Sequence, residues 1–491
     1  MLAQLAVAVA AAPPGDLLPA RRAGEERRLV VPLRLLDAYP LAGAAGNPVN
    51  PVNPVNPVNP VNPVDLATAD LGDGPWVAVV ADQGGLLLGV PLVAARQQPL
   101  AVRRALPGDG AATALVDRLT GPAQLRVATG AFGLYPLDAG RLPSAGGAGG
   151  AGGAGEAGLD VDQTHESVVV HGAGVVKWAV HLSSREGEPP AVRVLRHLAA
   201  VGFHETPPTV GHLVFRGAAS RGGAAAELLL ASVSGYLPGA QDGWDWYVDD
   251  LLENLAGRRT AAEVLAPARA IGGLVARLHL AMATSSPDNQ QPVRAASMSD
   301  AWSWSDAAIA TLDEALAVTG GDPGIRLAAR AARARALLER IGTVSETPVT
   351  MVHGDLHVGQ ILRWSGGLVV NDFDGNPVLS AEQQSAMAPP ARDVAGMVRS
   401  LDHVGRIADK RTGHGHPFEV DEWIAGAREE FLGAYRSELA AAGQSWLLDE
   451  RLLRPFEVEQ ECRELVYAAR HLPHWVYVPD AALSALLPEQ S

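Results

Sequence analysis

Apolar residues follow two different rhythms along the chain, and one gives way to the other near residue 245. Before that point, short leucine-rich and β-branched runs at 76–80, 86–93 and 124–127 are separated by Gly-, Pro- and Asp-containing turns, the pattern of strands. Runs at 167–170, 174–181, 212–215 and 228–233 continue the pattern, with a helix expected over 190–201. The apolar stretch 2–12 reads as a further, first strand; no Lys or Arg precedes it, as a secretory leader would require. After 245, segments 246–255, 261–283, 306–318 and 325–341 repeat apolar residues every three or four positions and are predicted helices. Within that part, 348–352 is expected to be a strand, and 361–364 with 368–371 a hairpin around Ser365-Gly366-Gly367.

Two low-complexity stretches punctuate the first half. Residues 47–64 are six copies of Asn-Pro-Val, in which proline at every third position holds the backbone extended, so an exposed loop is expected. Residues 144–158 are almost all Gly and Ala, the composition of a linker or mobile loop. The expected division is therefore a mostly β N-terminal domain over 1–143, the linker over 144–158, a small sheet-rich lobe over 159–244 and a helical lobe over 245–491.

A length of 491 residues suits two or three domains, and 47% apolar against 19% charged residues suits folded cores. The formal charge of −15 has no basic cluster to offset it, which argues against nucleic acid as a partner. No later run is expected to reach a bilayer span, so no membrane partner is expected. The single cysteine, Cys462, cannot form an intrachain disulfide and points to a reducing, cytoplasmic setting.

The chemistry concentrates in His353-Gly354-Asp355-Leu356-His357-Val358-Gly359-Gln360 and Asp372-Phe373-Asp374. Phosphoryl transfer asks for a residue that takes the nucleophile's proton, for metal ligands and for a cation on the phosphates. Asp355 suits the first role. Gln360, through its amide oxygen, and Asp372 suit Mg²⁺, with Asp374 as a second ligand or a brace for the first. His353 is expected to brace the loop and His357 to approach substrate or phosphate. Lys177 interrupts the apolar run 175–180 and is placed to reach ATP phosphates, although a charge solvating an edge strand has the same pattern. His353-x-Asp355-x-His357 also admits a zinc hydrolase, and loss of a ligand would leave an inactive kinase-like binding protein.

The ordered set of motifs resembles the aminoglycoside phosphotransferase-like kinases, and among them the actinobacterial maltokinase-related group, most of all its glucosamine kinases. The two segments above, extended by Gly375-Asn376-Pro377, resemble that family's catalytic loop and metal segment. Arg392-Asp393-Val394-Ala395-Gly396-Met397 and Ala276-Arg277-Leu278-His279-Leu280-Ala281 resemble the helices after and before them. The resemblance implies an α+β, bilobal, eukaryotic-protein-kinase-like fold with an N-terminal mostly β cap. It also implies ATP and Mg²⁺ as cofactors, Lys177 as the ATP-binding lysine and a monomer or weak dimer. The partner glutamate of that lysine aligns with Arg193, with Glu186 and Glu188 as alternatives.

The chain departs from the maltokinase pattern where Asp374 and Asn376 stand at two Glu positions and where Leu472-Pro473-His474-Trp475 replaces Arg-Pro-x-Trp. Loss of that arginine favours a cationic acceptor, because a like charge in a pocket is repulsive. An amino sugar, glucosamine, is the expected substrate, phosphorylated to glucosamine 6-phosphate. Glu464, aligned with a sugar-binding glutamate of the family, Trp475 and Asp409 join His353, Asp355 and His357 as expected substrate contacts. Asp402, Glu457 and Glu461 are further acids of that region. Maltokinase, forming maltose 1-phosphate, and aminoglycoside phosphotransferase are the alternatives. Trp302 and Trp304 are expected in a Ser- and Asp-rich turn, anchoring a loop or stacking on sugar.

Overall fold

The computed structural model describes residues 2–19, 29–41, 75–95, 100–121, 131–137, 155–159, 166–172, 174–182, 189–216, 227–376 and 387–488. The Asn-Pro-Val repeat, the expected strand at 124–127 and nearly all of the Gly/Ala stretch lie outside them. By compactness the chain forms two units, Met1–Val192 with Pro207–Tyr236, and Arg193–Thr206 with Leu237–Ser491.

The first unit begins with helix α1 (Leu2–Ala11), where a strand was expected. A short apolar run does not distinguish the two by periodicity alone, and alanine favours the helix. Leu5, Ala8 and Val9, spaced three and four apart, are buried in a core with Trp76, Val80, Leu88 and Leu92. Strands β1 (Arg34–Pro40), β2 (Trp76–Ala81), β3 (Leu87–Ala95) and β4 (Ala101–Arg104) follow, then helix α2 (Ala111–Thr120). Next come β5 (Phe132–Pro136), β6 (Glu156–Gly158), β7 (Glu166–Val170), β8 (Gly174–Trp178), β9 (His181–Leu182), helix α3 (Pro190–Ala200), which from Arg193 onward belongs to the second unit, β10 (Thr209–Arg216) and β11 (Glu227–Gly235).

One sheet has the order β1-β2-β3-β4, with β9 also pairing β3; the other has the order β5-β10-β11-β8-β7-β6. Every residue of β2 is buried. Trp76, Ala78 and Val80 enter the core of α1, while Val77 and Val79 join a second core with Leu115 of α2, Phe132, Trp178 and Leu230. The first compact unit extends across residues 143 and 158. Strand β5, from the stretch read as a separate cap, pairs with β10, and β6, from the stretch read as linker, pairs with β7. Lys177 sits opposite Ser167 of β7 and Ser232 of β11. It is on an interior strand, which removes the edge-strand explanation of its charge.

The second unit is built from α4 (Gly243–Leu255), α5 (Ala261–Met282), α6 (Met298–Val318), α7 (Gly321–Glu339), α8 (Ala391–Arg411), α9 (Pro417–Ala441), α10 (Leu453–His471) and α11 (Tyr477–Leu486). Short strands β12 (Arg294–Ala295) and β13 (Pro348–Val349) pair, as do β14 (Ile361–Trp364) and β15 (Gly367–Val370). Helix α6 starts eight residues before its expected position, which puts Trp302 and Trp304 in a helix and not in a turn. Ser297 and Asp300 form a capping box there: the Asp300 carboxylate accepts from Ser297 N at 2.8 Å and Ser297 Oγ from Asp300 N at 3.1 Å.

Helix α5 is, against expectation, long and apolar enough to cross a membrane. Its apolar residues Val264, Ile271, Leu274, Val275 and Leu278 are buried inside this unit, so it serves as the core helix. Close approach to α9 depends on Gly272, where a Cβ would lie 2.2 Å from the Phe431 carbonyl oxygen. Gly272→Ala should therefore cost about 1–3 kcal/mol by overpacking, read as a lower unfolding midpoint in urea. An unchanged midpoint would mean that α9 moves aside freely.

Candidate active site

The catalytic segment is held from beneath by one buried carboxylate. Asp393, in the first turn of α8, accepts from His353 N at 2.7 Å and from Gly354 N at 2.9 Å. His279 of α5 links Asp393, at 3.2 Å, to the Tyr435 hydroxyl of α9, at 2.8 Å. Burial works to raise the Asp393 carboxyl, but the hydrogen bond and field of His279, helped by His353 and the Gly354 N–H, hold it below the usual carboxylate range. His353 completes the brace: Nε2 donates to Asn371 O at 2.9 Å, and Nδ1 faces Asp355 N at 3.4 Å. Both ring nitrogens are thus directed at backbone. That is incompatible with a zinc-ligand role, and among the described residues no three His, Cys, Asp or Glu side chains are gathered for a metal ion.

Asp355 emerges from this frame half-buried, and Asn376 Nδ2 donates to its Oδ1 at 2.9 Å. Burial raises the Asp355 carboxyl above its ordinary value; His357 and His353 oppose the rise, Glu464 adds to it and Arg463 reduces it. The departure at Asn376 has a physical reading here. An amide can donate to Asp355, whereas an ionised glutamate in its place would repel it.

Gln360 closes the 3₁₀ turn Val358–Gln360, and its carbonyl accepts from Asn371 N at 2.8 Å, which brings Asp372 next to it. Asp372 adopts φ +65°, a left-handed conformation uncommon outside glycine. Its carboxylate, that of half-buried Asp374 and the Gln360 amide oxygen are hard oxygen donors, a set suited to Mg²⁺. Lys177 belongs to the other unit, as described above.

A tryptophan that the sequence reading passed over organises the acceptor side. Trp244 enters at the start of α4, where Asp242 caps the helix by accepting from Trp244 N at 2.8 Å. Its ring stacks on His357 (5.7 Å between centroids) and on His403 (6.5 Å), and meets Trp475 edge-on at 6.3 Å. Gly359 makes the room, since a Cβ there would lie 2.5 Å from Trp244 Nε1. His403 Nε2 lies 3.0 and 3.1 Å from the two Glu461 oxygens. Burial alone would lower the His403 pKa; Glu461, with Glu464 and Asp402, carries it above the ordinary histidine value.

Glu464 accepts from Gln460 Nε2 at 2.9 Å and is felt electrostatically by both Asp355 and His403. Asp355, His357, Glu464 and Trp475 thus share one neighbourhood. Asp402, Glu457 and Glu461 are buried and gathered around Arg399. Asp409 lies sixteen residues along α8 from Asp393, about 24 Å at 1.5 Å per residue, and it bonds His414 at 2.7 Å. For the partner of Lys177, Arg193 lies in α3, which has no carboxylate, and Glu186 and Glu188 fall outside the described residues.

A family model, the APH phosphotransferase enzyme family, matches residues 180–436. The chain belongs to the phosphotransferase enzyme family. Within the family, it is 45% identical to a glucosamine kinase of Streptacidiphilus jiangxiensis over 426 residues, 86% of this chain and 91% of that protein. A glucosamine kinase of Mycolicibacterium smegmatis is 41% identical over 79% of this chain and 90% of its own. Among solved structures, a glucosamine kinase superposes with TM-score 0.75 at 40% identity, covering 99% of both chains. Another, in complex with glucosamine, ADP and inorganic phosphate, gives 0.72 at 40% identity over 98% of this chain and 99% of that one. The phosphotransferase match contains the catalytic loop and metal segment but ends before α10, so Glu464 and Trp475 are covered by the likeness to individual kinases only.

The raised Asp355 carboxyl sets a pH expectation for this phosphotransferase. A carboxylate that must be ionised to accept a proton loses activity as pH falls through its pKa, so the acid limb of kcat should lie above the ordinary aspartate range. Asn376→Ala removes a donor to the ionised form and should move that limb to higher pH. A pH–rate profile of both proteins measures it, and an unmoved limb would separate Asn376 from the ionisation of Asp355.

Proposed function

We propose that this protein is an ATP-dependent glucosamine kinase that transfers the γ-phosphoryl group to the 6-hydroxyl of glucosamine. The observation that carries the substrate assignment is the pairing of Asp355 with Glu464 in one electrostatic neighbourhood beside Trp244 and Trp475, with Leu472 where an arginine would repel an amine. A carboxylate there offers a substrate ammonium a charge-assisted hydrogen bond, and the indoles offer a flat apolar wall to the sugar. The likeness to glucosamine kinases along nearly the whole chain supports the same reading.

In the reaction, Asp355 takes the hydrogen of the acceptor hydroxyl as its oxygen bonds to the γ-phosphorus. The bond from that phosphorus to the bridging oxygen breaks, and ADP leaves with the electron pair. Asp393 and His353 fix the loop so that the Asp355 carboxylate needs no reorganisation. Gln360, Asp372 and Asp374 would hold Mg²⁺, which neutralises charge on the phosphates. Lys177 would contribute its ammonium to the nucleotide phosphates. The buried Cys462 thiol suits a cytoplasmic enzyme.

Asp355→Asn should slow turnover by about a hundredfold or more while nucleotide binding persists; near-parental turnover would remove Asp355 from the proton-accepting role. Glu464→Gln tests the substrate. It should lower kcat/KM for glucosamine relative to glucose by about ten- to a hundredfold, the worth of one charge-assisted hydrogen bond. A ratio that stays fixed places ammonium recognition elsewhere, and a parental preference for maltose over glucosamine would overturn the assignment.

A further inference from the structure

Helix α10 divides its charges between two faces. Glu457 and Glu461 meet Arg399 and His403 of α8, and Glu464 acts on the acceptor neighbourhood. Glu459, Arg463, Tyr467 and Arg470 instead line a cavity of about 720 Å³ whose opposite wall is α6. Nothing in the proposed phosphoryl transfer uses this cavity. It nevertheless reaches the catalytic segment, because Gly354 and Asn376 also line it and Asn376 is the donor to Asp355.

Its charges are unevenly matched. Arg294 pairs with Asp300, and Arg470 with Glu314. Arg392 and Arg463, however, both donate to the same oxygen, Glu459 Oε1, at 2.9 and 2.6 Å. One carboxylate therefore serves two guanidiniums, and a positive charge is left over where none of the three side chains is more than 16% exposed. Two neighbouring guanidiniums present several N–H donors in planar forks, the geometry that receives a phosphate. Next to them the wall carries the Trp304 and Tyr467 rings and the Ser299 and Ser303 residues, apolar faces and hydroxyls of the kind that hold a polyol.

We propose that this cavity is a second ligand site, which binds a hexose monophosphate by its phosphate on Arg392 and Arg463 and by its ring on the aromatic wall.

Calorimetric titration of the full-length protein with glucose 6-phosphate tests the site independently of turnover. Binding should be saturable, and inorganic phosphate, which cannot use the aromatic wall, should bind several-fold more weakly. Arg463→Gln should weaken glucose 6-phosphate by about tenfold or more. Tyr467→Ala, at a 42% exposed position, should weaken it several-fold. Glu464→Gln, on the other side of the helix, should leave the affinity unchanged. No saturable binding in the parental protein, equal affinity for phosphate and glucose 6-phosphate, or loss of binding in Glu464→Gln with retention in Arg463→Gln and Tyr467→Ala would each overturn the proposal.

Discussion

The contact on which the catalytic half depends is the buried Asp393 carboxylate. It satisfies two consecutive backbone N–H groups, those of His353 and Gly354, that would otherwise be stranded at the end of a short strand. An ionised group at that depth is costly unless it is surrounded by donors. The His279–Tyr435 relay supplies another and ties the loop to two further helices. The position of Asp355 is therefore fixed by four separate stretches of chain, and its carboxylate inherits their rigidity.

The acceptor side is organised by stacking more than by charge pairing. Trp244 touches one histidine of the catalytic loop, one of α8 and the tryptophan that follows α10. It sets the spacing between the loop of His357 and the buried acids of α8 and α10. Those acids surround Arg399, so most of their charge is already spent inside the protein. Glu464, by contrast, is half-buried and bonded to the neutral Gln460.

Much of this was legible in the sequence because Asp355, Gln360 and Asp372 lie in one short stretch whose turns can be read locally. In the first unit β2, β3, β7 and β11 were legible to within one or two residues, because alternation and turn residues agree there, whereas β1, β4, β5 and β6 were not singled out. Trp244, His403 and Asp393 were not marked as parts of the site, since each arrives from a remote helix and nothing in its own surroundings announces the meeting. The early start of α6 was readable, as Ser297 and Asp300 have capping-box spacing. The helix at the amino terminus was not, because ten apolar residues suit either periodicity.

Strand β2 is a party wall. With one set of side chains in the α1 core and the other among the residues that pack around Trp178 of β8, it belongs to two compartments at once. The amino-terminal segment is consequently not an accessory that could be exchanged or dispensed with as a module. Removing it would strip one side of the core on which the strand of Lys177 rests, so the first hundred residues and that strand are bound to a common evolutionary fate.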